Sequence, residues 1–268
     1  MNSLIWKRRI AKCYSACIRK NNTRKIILLY HAVGNSPWAI STDTFRKQIQ
    51  WLNQHCKITS LTKLLTMPEQ EDTIEVALTF DDGYACLYDT ILPILQAENA
   101  VATVYINTDC IGQCEKTRKL SVPALGHYPI ETFLLWDEVR ALEKLGWEIG
   151  SHGVNHVDLT QQDAETIKNE LNYSKLTIQD VLQKECTHFA YTWGKHSKNL
   201  RQAVAAAGYR YAVAGHHAVF KKNNNLMALP RLNIEKNYSL HDFENITLGK
   251  WDFLGAIQRI KKWLWIKY

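Results

Sequence analysis

Nowhere in this 268-residue chain do eighteen apolar residues run together, so no segment has the length and hydropathy of a membrane-spanning helix. The first twenty-five residues contain no acidic side chain, and their one apolar stretch, Leu4-Ile5-Trp6, is too short for a signal-peptide core. A cytoplasmic location is the expectation that follows. A disulfide framework is missing too: the cysteines are odd in number, at 7, and irregularly spaced, which suits reduced thiols. No repeat, low-complexity tract or linker divides the chain, and its length is that of one enzyme-sized domain.

Charge is present but unevenly placed. Lys7, Arg8, Arg9, Lys12, Arg19, Lys20, Arg24 and Lys25 lie within residues 1–25; Lys250, Arg259, Lys261, Lys262 and Lys267 oppose only Asp252 within 250–268. The ends thus carry +8 and +4, and the net +7 leaves the body at −5. Trp6, Ile10, Tyr14 and Cys17 share one helical stripe, and Phe253, Ile257, Ile260 and Leu264 share another, with Trp263, Trp265 and Tyr268 beside it. Basic amphipathic helices with aromatic anchors fit the surface of an anionic membrane. The alternative is two terminal helices packed on the body with Lys and Arg in water. Nucleic acid is a poor partner, because the body is acidic and no nucleic-acid motif is visible.

Between the ends, strands and helices alternate. Strands are expected at 25–30, 74–80, 101–106, 147–151, 188–191 and 209–214. Helices are expected from a Thr42 cap through Phe45, Ile49 and Leu52, and at 87–96, 130–145, 163–182 and 198–207. This order predicts an α/β fold with a parallel sheet, open or closed. Residues 107–129 have no clear periodicity and follow a strand's carboxyl end, which predicts a substrate-shaping loop.

Two segments carry the chemistry. Leu78-Thr79-Phe80-Asp81-Asp82-Gly83-Tyr84 ends an alternating strand in two adjacent carboxylates, which repel unless a cation lies between them. Gly150-Ser151-His152-Gly153-Val154-Asn155-His156 ends another strand in a His pair. Asp82, His152 and His156 offer one oxygen and two imidazole nitrogens, a set typical of an open catalytic zinc-type site, and Asp81 is left free to act as a base. Cys110, Cys114 and His127 lack the spacing of a second metal site, and His216-His217 sits in a polar stretch expected to be solvated.

These segments resemble the first two motifs of the polysaccharide deacetylase family, carbohydrate esterase family four. Ile27-Leu28-Leu29-Tyr30-His31-Ala32-Val33 resembles the opening strand of its bacterial branch. Trp136-Asp137-Glu138-Val139 with Gly146-Trp147-Glu148-Ile149-Gly150 resembles the approach to the His pair, and Leu229-Pro230-Arg231-Leu232-Asn233 the closing strand. The resemblance implies a distorted (β/α) barrel with fewer than eight parallel strands over residues 26–248, flanked by basic helices at 1–25 and 249–268.

It also implies one divalent ion, zinc above others, on Asp82, His152 and His156, with Asp81 as general base. Trp193 is the implied source of the oxyanion-binding N–H, and Tyr84 and Trp193 are expected to contact substrate. Two departures matter. The family's Arg in the motif around Trp193 is Ala190 here, so Arg231 is expected to steady Asp81 instead. No His occupies Leu232-Asn233-Ile234, so His31 is expected as leaving-group acid, unless it only hydrogen-bonds the barrel floor. The implied activity is removal of an N-acetyl group from a sugar, such as a lipid-linked or lipopolysaccharide-bound intermediate met at the inner face of the membrane. The competitors are an O-acetyl esterase and an inactive carbohydrate- or membrane-binding relative.

Overall fold

The computed structural model describes residues 3–17 and 23–265. Eight parallel strands form one sheet: β1 (Arg24–Tyr30), β2 (Lys57–Ile58), β3 (Ile74–Phe80), β4 (Thr103–Ile106), β5 (Glu148–Ser151), β6 (His188–Ala190), β7 (Tyr211–Val213) and β8 (Leu232–Asn233). Seven follow the order β7-β6-β5-β4-β3-β1-β8, and β2 pairs with β3 off that path. A parallel bridge from Val213 to Leu229 links β7 to the segment entering β8, which brings the two sheet edges together. The result is a distorted, incompletely closed barrel whose path holds seven strands, the form with fewer than eight that the family resemblance implies.

Helices pack around it: α1 (Ser3–Cys17), α2 (Thr42–His55), α3 (Leu61–Thr66), α4 (Leu92–Ala97), α5 (Trp136–Lys144), α6 (Ala164–Leu182), α7 (Lys198–Ala206), α8 (Leu240–Thr247) and α9 (Phe253–Trp265). Strand alternation sorts the core into two layers. Ile27, Ala77, Tyr105, Ala190, Val213 and Leu229 form an inner cluster, joined by Leu61 and Leu64 of α3. Ile26, Leu28, Tyr30, Val76, Leu78 and Phe80 belong to the larger outer cluster under the helices. By this parity Thr79 and then Asp81 face the barrel interior.

Several boundaries differ from the sequence reading. The cap of α2 is Ser41, whose hydroxyl accepts the Thr44 N–H at 3.2 Å, rather than Thr42. The helix expected from residue 130 begins only at Trp136. Glu138 accepts the Leu135 N–H at 2.8 Å and starts it there, while Ile130 lies in a turn at φ +62° and 132–135 runs extended and bridges Tyr84, Gly112 and Leu120. A π-helical turn at Leu87–Ile91 precedes α4. The short β2 and α3, and α8, carried too little periodicity to be anticipated.

Both terminal helices dock on the barrel. Arg8 donates to both carboxylate oxygens of Asp242 at 2.9 and 2.6 Å, and Lys7 donates to the Tyr238 hydroxyl at 2.9 Å. Tyr14 meets Phe253 edge-on at 5.6 Å, which joins α1 to α9. Gln258 of α9 accepts the His217 N–H at 2.8 Å. No helix among the described residues is long and apolar enough to cross a membrane. The side chains of Cys17, Lys261, Lys262, Trp263, Leu264 and Trp265 lie outside the described set, as do Arg19, Lys20, Lys267 and Tyr268.

Candidate active site

The register of β1 against β3 places Tyr30 beside Phe80, so His31 and Asp81 emerge together at the carboxyl end of the sheet. Arg231 lies one residue before β8 and rises through the barrel interior. Its fully buried guanidinium donates to both oxygens of Asp81 at 2.6 and 2.7 Å, and its Nε donates to the Ala214 carbonyl at 3.1 Å. This bidentate clamp is the strong form of a charge-assisted hydrogen bond. Burial pushes the Asp81 carboxyl up, but the charge and hydrogen bonds of Arg231 outweigh it and hold the group below the ordinary carboxylate value.

Beyond Asp81 the chain reverses sharply. Asp82 has φ +74° and Gly83 φ +76°, and a Cβ at Gly83 would lie 2.9 Å from Ile106. The left-handed conformation is uncommon for a residue with a side chain and clusters at functional sites. It turns the Asp82 carboxylate toward the loop after β5, where His152 Nε2 lies 3.5 Å and His156 Nε2 3.3 Å from its Oδ1. His156, with φ +55°, is itself left-handed.

Hydrogen-bond direction fixes the tautomers of this pair. His152 Nδ1 lies 2.8 Å from the Ala190 carbonyl, and His156 Nδ1 lies 2.7 Å from the Leu125 carbonyl. A carbonyl only accepts, so each Nδ1 carries a proton, and in the neutral form of each ring Nε2 turns a lone pair toward Asp82. Lone pairs from two imidazoles and a carboxylate, converging in a buried site, repel unless a cation lies among them. The donor set therefore fits a divalent metal.

His127 is a site residue that sequence reasoning set aside. Its ligand atoms lie within 4.8 Å of those of Asp82 and His156, and its ring centroid is 4.5 Å from that of His156. Proximity alone would make it a ligand, but its hydrogen bond points the other way. The Val122 N–H donates to His127 Nδ1 at 3.4 Å, so the proton of the neutral ring sits on Nε2, a buried nitrogen with no partner. Burial pushes its pKa down to about 4, which keeps it neutral. His127 offers an N–H where His152 and His156 offer lone pairs.

Glu170 of α6 is a second residue that no sequence signal marked. Its carboxylate accepts the Val154 N–H at 2.6 Å and the Asn155 N–H at 3.1 Å, bracing the turn that presents His156. Asn107 braces the other side, donating to the His152 carbonyl at 2.7 Å.

The remaining expected residues take distinct places. His31 lines the cavity and stacks on Tyr128 at 5.2 Å, at the rim rather than on the barrel floor. Burial lowers its pKa, against the pull of Asp82 and Asp81. Trp193, at φ +52°, projects into the cavity with its ring 5.1 Å from His156, and Gly126 packs so closely that an added Cβ would lie 2.6 Å from the indole nitrogen. The 107–129 segment thus forms one wall of the site.

Tyr84, expected to touch substrate, is fully buried instead. It stacks on Phe133 at 5.4 Å and accepts the Tyr128 N–H at 2.7 Å, which places it behind the site. His217, expected in solvent, is buried beneath α9.

Residues 69–212, more than half of the chain, match the family model described as polysaccharide deacetylase. The chain is 24% identical over 232 residues to YxkH of Bacillus subtilis (strain 168), covering 84% of this chain and 77% of that one. It is 24% identical over 227 residues to the poly-beta-1,6-N-acetyl-D-glucosamine N-deacetylase of Staphylococcus aureus (strain NCTC 8325 / PS 47), covering 80% and 72%. Among solved structures, the Streptococcus pyogenes deacetylase PplD in complex with acetate matches with a TM-score of 0.70 at 22% identity, over 84% of this chain and 98% of that one. That structural likeness speaks to the fold.

Proposed function

The chain belongs to the polysaccharide deacetylase family of hydrolases, and from that premise we propose that it is a metal-dependent N-deacetylase acting on an N-acetylated sugar. The observation that carries the reading is the convergence of His152 Nε2 and His156 Nε2 on Asp82, both rings oriented by backbone carbonyls. A divalent ion there, zinc by the nitrogen-rich donor set, would supply Lewis acidity, lowering the pKa of a water and polarising the acyl carbonyl.

The chain's own groups divide the remaining work. Asp81, held ionised and oriented by Arg231, takes the proton of the attacking water, help worth about 10²–10⁴ in rate. The backbone N–H of Trp193 is the donor for the developing oxyanion. His31, in its protonated form and favoured in it by the Asp81 and Asp82 charges, delivers a proton to the departing amine, which leaves poorly without one. The products are acetate and a free amino sugar.

The S. aureus relative's name specifies an N-acetylated glucosamine polymer. For this chain we favour a lipid-linked or lipopolysaccharide-bound intermediate at the cytoplasmic face of the membrane, reached with the help of the basic terminal helices. The test is metal analysis of the purified protein together with acetate release from a panel of N- and O-acetylated glycans. Stoichiometric metal with acetate from the amide substrates supports the reading. Release from O-acetyl substrates alone makes the protein an esterase, and neither metal nor release makes it an inactive relative.

A further inference from the structure

The cavity above Asp81 and Asp82 does not end at the barrel. It measures about 810 Å³, and its far wall is supplied by Trp6 of α1 and by Leu254 and Ile257 of α9, with Leu29 and Tyr238 between. That volume is near the upper end of the range for pockets enclosing a drug-sized ligand, about 300–1,000 Å³, and exceeds the needs of one sugar ring. Both helices lie outside the segment matched to the family. The extension belongs to this chain's own ends.

The chemistry of the wall selects its ligand. Several polar side chains there are engaged with one another, Lys7 with the Tyr238 hydroxyl at 2.9 Å and with Glu235 at 3.4 Å, and Gln258 with the His217 N–H, while Asn233 also lines the cavity. What remains is largely apolar, Leu29, Leu254 and Ile257 with the rings of Trp6 and Tyr238 beside them, while Trp193 and Tyr128 line the catalytic end. Apolar exposure continues on the same helices, where Ile5 is 45% exposed, Trp6 38% and Ile260 58%. Scattered apolar side chains on a surface are ordinary, but these flank a cavity that leads to the reacting centre.

We propose that the wall formed by α1 and α9 is a subsite for the hydrocarbon portion of a lipid-carried glycan, so that the sugar is deacetylated while still joined to its carrier. The proposal rests on the deacetylase reading of the same cavity and adds the class of aglycone. Each methylene moved from water onto this wall is worth about four-fold in affinity, so even four buried methylenes give about 10²-fold.

The test uses the full, metal-loaded chain and two probes, the methyl and dodecyl glycosides of N-acetylglucosamine, below the micelle-forming concentration of the latter. Calorimetry reads binding and a separate assay reads acetate. The dodecyl glycoside should bind at least about 10²-fold more tightly than the methyl glycoside. Trp6→Ser with Ile257→Ser should cut that ratio at least tenfold, and Trp6→Ser alone serves if the double variant does not fold. Equal binding of the two probes overturns the subsite, as does tighter binding of an N-acetylglucosamine oligomer than of the dodecyl glycoside. Tight dodecyl binding without acetate release overturns the deacetylase reading and leaves the subsite standing; acetate release with equal binding does the reverse.

Discussion

At the rim of the barrel the buried groups are charged and matched atom for atom: Asp81 with both nitrogens of Arg231, Asp82 with two imidazoles, Glu170 with the turn beneath His156. On the terminal helices the arrangement inverts. Charged side chains such as Arg8 and Lys7 are tied down against the barrel, while Ile5, Trp6 and Ile260 remain in the open. Buried charge is costly unless every member has a partner, so the rim is a rigid polar device for chemistry. Exposed apolar surface beside a cavity serves contact with something apolar. One region makes the bond change, and the other sets what is brought to it.

Variants that separate the two regions test this contrast, beginning with the largest effect. His152→Ala removes a lone pair from the convergence on Asp82. It should abolish metal retention and turnover with the fold intact by circular dichroism; stoichiometric metal in that variant would sink the ligand assignment. Asp81→Asn should retain metal and lose at least about 10² in turnover, because an amide cannot accept the water's proton. Near-normal rates would place the base elsewhere.

Arg231→Met strikes stability as well as chemistry. Breaking a buried pair costs about 3–5 kcal/mol by leaving an unpaired charge. The folded-state pKa of Asp81 is depressed, so the pair's contribution is present above the unfolded carboxylate value, about 3.9, and is lost as pH falls through the lower folded value. Without Arg231, burial dominates and raises the carboxyl, so the variant's penalty should be largest near neutral pH and shrink as falling pH protonates Asp81. Melting curves between pH 3 and pH 7 check this, and an unchanged acid limb would count against the clamp.

His31→Ala should depress amide hydrolysis far more than hydrolysis of an activated ester, whose leaving group needs no proton. Equal losses would reduce His31 to a wall residue stacked on Tyr128. The smallest effect on turnover belongs to the far region. Charge reversal of Arg259, Lys261 and Lys262 to Glu should leave activity on a small soluble substrate unchanged while releasing the protein from anionic vesicles. Each basic residue near such a surface contributes about 1 kcal/mol, screened over about 8 Å at physiological salt. If the unaltered protein ignores anionic vesicles even at low salt, the terminal helices are barrel packing alone.

The rim was the more legible region. Alternation through Ile74, Val76, Leu78 and Phe80 sets the parity that sends Asp81 inward, and the parallel register does the rest. Arg231 was legible only through the resemblance, because the family's Asp-steadying Arg is Ala190 here and the closing strand offers another. What stayed hidden depends on packing between distant segments. Tyr84 reads as an ordinary rim aromatic until the 130–135 stretch folds over it. His127 sits in a segment without periodicity, and its role depends on which of its nitrogens meets the Val122 N–H. Glu170 is one acid among several on a long helix, distinguished only by the turn it faces. The docking of α1 on α8 through Arg8 and Asp242 joins residues 234 apart in sequence, and no local pattern announces it.

Asp82, His156 and Trp193, drawn from three separate loops, all hold left-handed backbone angles. A side-chain-bearing residue in that region costs about 1 kcal/mol or more, and the isolated loops have no reason to accept it. The working geometry is thus a property of the assembled barrel and not of any loop. Because that geometry depends on packing across the whole barrel, it should loosen on warming while helices and strands still give their full spectroscopic signal. For this protein, loss of activity on heating should run ahead of loss of secondary structure, which makes turnover the sensitive gauge of an intact fold.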